Sequence, residues 1–171
     1  MKKDLKTMSD ILIKDNFLKE EDFKKIQKDM MSDFFPWYFN EDRTQYGDNK
    51  YQFTHTFFRD CQRHSDKFEI LQPLFDRIGV NSLVRVKANL TLRTNNYEDT
   101  EKEHYHTDFD DIGCKTGIFY INTNNGKTMF ENGYESESIE NRFISFPVNL
   151  KHTGSTNTDV KRRIVLNVNW Y

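Results

Sequence analysis

Residues 82–94, "SLVRVKANLTLRT", alternate without a break: Val84, Val86, Ala88, Leu90 and Leu92 on one side, Arg85, Lys87, Asn89, Thr91 and Arg93 on the other. Successive side chains of an extended strand point to opposite faces, so the pattern predicts a strand with one face on a hydrophobic core and the other on a polar space. The last ten residues, "RRIVLNVNWY", repeat the arrangement. Ile164, Leu166, Val168 and Trp170 belong against helices or core, whereas Arg163, Val165, Asn167 and Asn169 face the same polar interior as Asn89 and Thr91. Arg162 is turned outward by the same alternation. A guanidinium at position 163 would be a fixed cation inside the protein, costly unless an anion meets it. A carboxylate bound in two-pronged geometry would satisfy it.

The rest of the chain surrounds these two strands with shorter ones. Residues 11–17, 51–58, 115–122, 127–130 and 142–146 have strand character, separated by turn-rich pieces such as "NTNNG" and "ENG". Two helical segments precede the main run. In residues 19–33, Phe23, Ile26 and Met30 recur at steps of three and four, with Pro36 as the expected stop. After Ser65, a plausible N-cap, Phe68, Leu71, Leu74, Phe75 and Ile78 share a face, and Pro73 is expected to split or kink that helix. Helices first and strands afterwards predict a mainly β (α+β) protein: a double-sheet barrel or jelly roll with N-terminal helices on its outside and room for a ligand within. Residues 95–103 are expected to form a flexible lid.

Composition narrows the function. The 171 residues suit one domain, and 15 Phe, 8 Tyr and 2 Trp favour a sheet-rich core. A formal charge of −2 without long single-sign runs gives no extended nucleic-acid surface. Two cysteines, Cys61 and Cys114, build neither a disulfide framework nor a CxxC zinc site, and no segment approaches the roughly 18 apolar residues of a membrane span. A soluble, unexported, cytoplasmic protein is expected.

The chemistry concentrates in residues 104–111, "HYHTDFDD". A His-x-Asp pair by itself is weak evidence, because five histidines among 16 aspartates give roughly half an example by chance. The spacing is nevertheless apt: on an extended segment residues i and i+2 point the same way, so His106 and Asp108 can take adjacent positions on one metal ion. His152, after the apolar stretch "RFISFP", is the candidate third ligand. His104 reads as a solvated loop residue, Asp110 and Asp111 as a polar turn, His55 and the aromatic residues 35–39 as core packing, and Cys114 as a small buried residue.

His106-x-Asp108, His152 44 positions on, and Arg163 eleven beyond that together resemble the pattern of the 2-oxoglutarate- and iron(II)-dependent dioxygenases. The chain is similar in particular to their prolyl-hydroxylase-like branch and to small phage oxygenases. "VKANLTLRT", "HTDF", "GIFYINTNNGKTMFENG", "NRFISFP", "KHTG" and "RRIVLNVNWY" resemble successive strands of that branch, in order, over residues 82–171. The resemblance implies a double-stranded β-helix in which His106, Asp108 and His152 hold Fe(II), Arg163 binds the distal carboxylate of 2-oxoglutarate, and Tyr120 hydrogen-bonds that carboxylate. It implies O2 as oxidant, ascorbate as a candidate reductant, and hydroxylation of a small molecule or peptide. Where the pattern often continues Arg-x-Ser, this chain has Arg163-Ile164-Val165, so that serine's hydrogen bond is absent. The residues also admit a non-catalytic jelly-roll module that binds a carbohydrate or partner protein, and a cupin-like metalloenzyme that does not use 2-oxoglutarate. An inward Arg163 separates these, since neither alternative requires an interior cation there.

Overall fold

In the computed structural model the two alternating stretches lie side by side and antiparallel, with Arg163 opposite Thr91, Asn167 opposite Lys87 and Asn169 opposite Arg85. The structure describes residues 11–43, 47, 50–98, 104–109 and 113–171. The elements are β1 (Leu12–Lys14), α1 (Glu20–Met30), β2 (Tyr38–Asn40), β3 (Gln52–Arg59), β4 (Gln62–Arg63), α2 (Gln72–Ile78), β5 (Leu83–Leu92), β6 (Lys115–Tyr120), β7 (Asn124–Phe130), β8 (Glu135–Ser138), β9 (Phe143–Pro147), β10 (His152–Gly154) and β11 (Arg162–Trp170). The larger sheet runs β1-β9-β6-β11-β5-β3-β2, with β4 also on β3, and the smaller runs β10-β7-β8. A single antiparallel bridge between His106 and His152 adds the segment around His106 to the smaller sheet beside β10. Two facing antiparallel sheets with few helices make the expected double-stranded β-helix.

The apolar face of the larger sheet is covered by the helices. Ile164, Leu166, Val168 and Trp170 of β11 join Val86, Ala88 and Leu90 of β5 in one cluster with Phe23, Ile26 and Met30 of α1 and Leu74 and Phe75 of α2. Each fully buried Val, Leu, Ile, Phe or Met among them contributes about 1.5–3 kcal/mol, so this layer fixes β5 and β11 and leaves their other face available for chemistry. Glu20, Glu21 and Asp22 in the first turn of α1 oppose the positive end of its dipole. A smaller cluster between the sheets, including Ile118, Phe130, Phe146 and Val165, closes one side of the interior.

Several local expectations are corrected. Helix α1 stops at Met30, well before Pro36. Pro73 does not split a helix: it stands in the first turn of α2, where its missing N–H is not needed, after a 3-10 turn over Phe68–Leu71. Gly79 ends α2 in the left-handed conformation (φ 76°), which a residue without Cβ adopts at little cost. Leu92, expected in the core, is 41% exposed at the end of β5. The expected lid and the turn at Asp110 and Asp111 fall partly or wholly outside the described residues.

Candidate functional site

The polar faces of β5 and β11 line a cavity of about 270 Å³, to which Arg85, Lys87, Asn89, Thr91, Arg163 and Asn167 all contribute. His106, Asp108 and His152 open into the same cavity. One ligand atom from each of these three lies within 4.8 Å of the other two, so the structure brings the expected set together. The bridge explains how. Reciprocal backbone hydrogen bonds of 3.0 Å hold His106 against His152, and Asp108 follows two residues later on the same extended segment.

Both imidazoles are oriented through their inner nitrogens. His106 Nδ1 lies 3.1 Å from the His104 carbonyl and His152 Nδ1 lies 3.3 Å from the Leu150 carbonyl. A carbonyl only accepts, so each Nδ1 carries a proton, and in the neutral ring Nε2 is the nitrogen left for a metal. Burial pushes the His152 pKa down to about 4, with Asp108 opposing, so the ring is neutral at neutral pH. The Asp108 carboxylate is held from two sides: Arg85 Nη2 at 2.8 Å from Oδ1, and Asn169 Nδ2 donating to Oδ2 at 2.9 Å. Burial alone would raise its pKa, but Arg85, His152 and the Asn169 hydrogen bond outweigh it and keep the carboxyl below its ordinary value. Asn169 also donates to Thr116 Oγ1 at 3.0 Å and accepts from Arg85 Nε at 3.3 Å, while the Arg85 guanidinium lies 4.8 Å from the Phe109 ring centre. Sequence reasoning put Arg85 and Asn169 on the inner face without assigning them to Asp108. Their shared face and cross-strand pairing were the available signal.

Arg163 lies inside, 5% exposed. Its Nε donates to Ser138 Oγ at 3.0 Å and its Nη2 to Thr128 Oγ1 at 3.4 Å, and among the described residues no carboxylate reaches it. Burial pulls its pKa down, opposed by Tyr120. Room for the side chain comes from Gly126, where an added Cβ would lie 2.7 Å from Arg163 Cδ. Val165, at the position where a serine is often found, lines the cavity without a hydrogen bond, and the hydroxyls of Thr128 and Ser138 contact the guanidinium instead. Arg162 turns the other way and donates to the Met31 carbonyl beyond α1.

Tyr120 is not among the lining residues. It is fully buried, and its hydroxyl donates to Thr128 Oγ1 at 2.8 Å, so it touches a cavity wall rather than the cavity. His104 is not a free loop residue: it is half-buried, 2.9 Å from Lys50 Nζ, and its carbonyl orients His106. His55 packs in the core as expected, with its ring nitrogens 2.8 Å from the Pro36 carbonyl and from Ser65 Oγ. Cys114 is buried, with 2% exposed.

No protein-family model matches the sequence, and no curated protein matches it either. Similarity appears in three dimensions. A 2OG-Fe(II) oxygenase family oxidoreductase from Burkholderia pseudomallei superposes with a TM-score of 0.68 at 11% identity, over 94% of this chain and 84% of that one. A prolyl hydroxylase from Trichoplax adhaerens, solved with a peptide of the hypoxia inducible factor oxygen degradation domain, gives 0.67 at 13% identity over 96% and 84%. The non-heme alpha ketoglutarate dependent epimerase SnoN of nogalamycin biosynthesis gives 0.59 at 9% identity over 94% and 77%. The chain therefore has the double-stranded β-helix fold seen in 2-oxoglutarate- and iron(II)-dependent oxygenases, prolyl hydroxylases among them.

Proposed function

We propose that this chain, as a single domain over residues 1–171, is an iron(II)- and 2-oxoglutarate-dependent oxygenase that hydroxylates its substrate in the cytoplasm. The observation that carries the reading is the pairing, in one cavity, of a His-Asp-His cluster with a buried guanidinium that has no counter-ion among the described residues. Two neutral imidazoles and one carboxylate suit a divalent iron with positions left open, and the free Nε2 atoms of His106 and His152 with an oxygen of Asp108 would hold it. An ion that takes up the Asp108 charge also relieves the crowding of three polar groups in a buried space. Bound iron and 2-oxoglutarate supply the oxygen chemistry, in which the co-substrate loses CO2 to become succinate and the second substrate is oxidised.

The protein's part is binding and orientation. Arg163 offers N–H donors in a planar fork that matches a carboxylate, and the distal carboxylate of 2-oxoglutarate supplies the missing anion. Tyr120 supports this end through Thr128, one layer behind the contact. Arg85 and Asn169 keep the Asp108 carboxylate ionised and fixed in direction, a task that outer contacts commonly perform for metal ligands. The two free cysteines suit a reducing compartment.

Anaerobic titration of the protein with Fe(II) and 2-oxoglutarate tests the proposal. A weak visible metal-to-ligand charge-transfer band should appear, saturate, and be lost in His152→Ala. No band at saturating concentrations removes the reading and leaves a binding module or a metalloenzyme that does not use 2-oxoglutarate. Slow succinate formation in air with ascorbate, absent from the His152→Ala blank, tests turnover without a known acceptor.

A further inference from the structure

Among the described residues four cations line the cavity, and two already have carboxylates: Arg43 lies 3.5 Å from Glu98, and Arg85 lies 2.8 Å from Asp108. Arg163 is claimed above for the co-substrate. Lys87 remains. It sits on the inner face of β5, and no hydrogen bond or ion pair reaches its ammonium from the described residues. Its surroundings are made for a polar ligand. Asn167 is its direct cross-strand neighbour, Asn89 is two residues along the same face, and the side-chain carbonyl oxygens of both are buried without a partner among the described residues. Buried polar groups left unpaired in this way cost stability in the ligand-free protein and are satisfied by what binds.

A single 2-oxoglutarate docked on Arg163 does not account for Lys87. Lys87 pairs with Asn167, four residues along β11 from Arg163, so the two cations stand at separate positions on the cavity wall. 2-Oxoglutarate has two carboxylates and no third anionic group. With one of its ends on Arg163 and the other at the metal ligands, a positive charge is left over on the β5 wall. Resting on the oxygenase reading, we propose that Lys87 forms a second anion site, and that the substrate oxidised here is a small acid. It bears a carboxylate or phosphate for Lys87 and N–H or O–H donors for Asn89 and Asn167. The volume of about 270 Å³, below the usual range for a ligand pocket, restricts any molecule beside the co-substrate to a small one. Burial, then Arg85, pull the Lys87 pKa down to about 8, as expected for an ammonium whose counter-ion is still to arrive.

The test reads Lys87 directly. The lysines are reductively methylated with 13C, which preserves their charge, and the Lys87 signal is identified by its loss in Lys87→Arg. Acetate, methyl phosphate and neutral acetamide are then titrated into protein loaded with Zn(II), as a diamagnetic stand-in, and saturating 2-oxoglutarate, and in parallel into metal-free protein. Acetate or methyl phosphate should shift the Lys87 signal saturably and acetamide should not. In the Fe(II) charge-transfer titration, Lys87→Met should leave the 2-oxoglutarate midpoint within about twofold of the original, where Arg163→Met moves it tenfold or more. No saturable response to either anion overturns the site, as does an equal response to acetamide. A loss of 2-oxoglutarate affinity in Lys87→Met as large as in Arg163→Met also overturns it, by giving Lys87 to the co-substrate. A Lys87 response to anions in a protein that shows no charge-transfer band keeps the anion site and removes the oxygenase reading.

Discussion

Replacing Arg163 by methionine should move stability and binding in opposite directions. The guanidinium has five N–H donors, of which one meets Ser138 and one Thr128, and among the described residues no carboxylate balances its charge. In the ligand-free protein such a buried charge is a cost, and an unbranched apolar side chain of similar length removes it. The ligand-free variant should therefore be at least as stable as the original, with a gain on the order of 1 kcal/mol, or about 2–4 °C in Tm for a domain of this size. Binding changes the other way. A charge-assisted two-pronged contact contributes about 1.5–3 kcal/mol, which corresponds to roughly 10- to 150-fold weaker 2-oxoglutarate binding in the variant. The anaerobic charge-transfer titration measures the second quantity and calorimetric melting of the metal-free protein the first. Arg162→Met is the control: its side chain reaches the Met31 carbonyl on the far side of the sheet, so the 2-oxoglutarate midpoint should stay put. Unchanged 2-oxoglutarate affinity in Arg163→Met would refute the assignment. A large loss of stability without ligand would show instead that the guanidinium is a structural member of the smaller sheet.

His106→Ala and His152→Ala should each lose stable iron binding while keeping the circular dichroism of the fold, because the apolar layer that holds β5 and β11 is on the other face of the larger sheet; a full iron equivalent retained by His106→Ala contradicts the ligand set. Gly126→Ala should weaken 2-oxoglutarate binding without touching the metal ligands, since the new methyl would sit 2.7 Å from Arg163 Cδ and 2.9 Å from Asn124 Oδ1, and overpacking of this kind costs about 1–3 kcal/mol. For the metal-free protein, the folded pKa of His152 near 4 lies below its ordinary 6.5, so between these values the unfolded chain holds the extra proton. Its contribution is complete above pH 6.5 and lost as pH falls towards 4, about 3 kcal/mol in all, and the fall of Tm over that interval should be shallower in His152→Leu.

Strict alternation made the inner face of the cavity legible in the sequence. Arg85, Lys87, Asn89 and Thr91 on β5 and Arg163, Val165 and Asn167 on β11 are sorted correctly because each opposing face is continuously apolar. A slip of one residue would have exchanged the two sets, so the hydrophobic pattern fixes the register. What escaped were the pieces too short or too polar to carry a pattern. Strand β8 is "ESES", with Ser136 and Ser138 buried, and nothing apolar marks it although Ser138 contacts Arg163. Strand β10 is three residues long, and the segment bearing His106 joins the sheet through a single bridge. Tyr120 stands on β6, but the cavity wall in front of it is supplied by Thr128 of β7, a neighbour that chain order does not reveal.

The same alternation has a consequence for the metal ligands. Asp108 lies on a segment with little regular structure, yet its carboxylate is directed by Arg85 and Asn169, which stand opposite each other on β5 and β11. Those two strands are the ones the apolar layer secures most firmly, with Val86, Ala88, Val168 and Trp170 packed beneath them. His152 is tied to the same geometry from the facing sheet, through the bridge to His106. A segment joined to the sheet by a single bridge thus takes its orientation from a strand pair fixed by the apolar layer, and the polar face of that pair reaches from Asp108 at one end to Arg163 at the other. The direction of the Asp108 carboxylate and its separation from Arg163 are consequently set by one sheet register, so neither varies without disturbing the core that supports both.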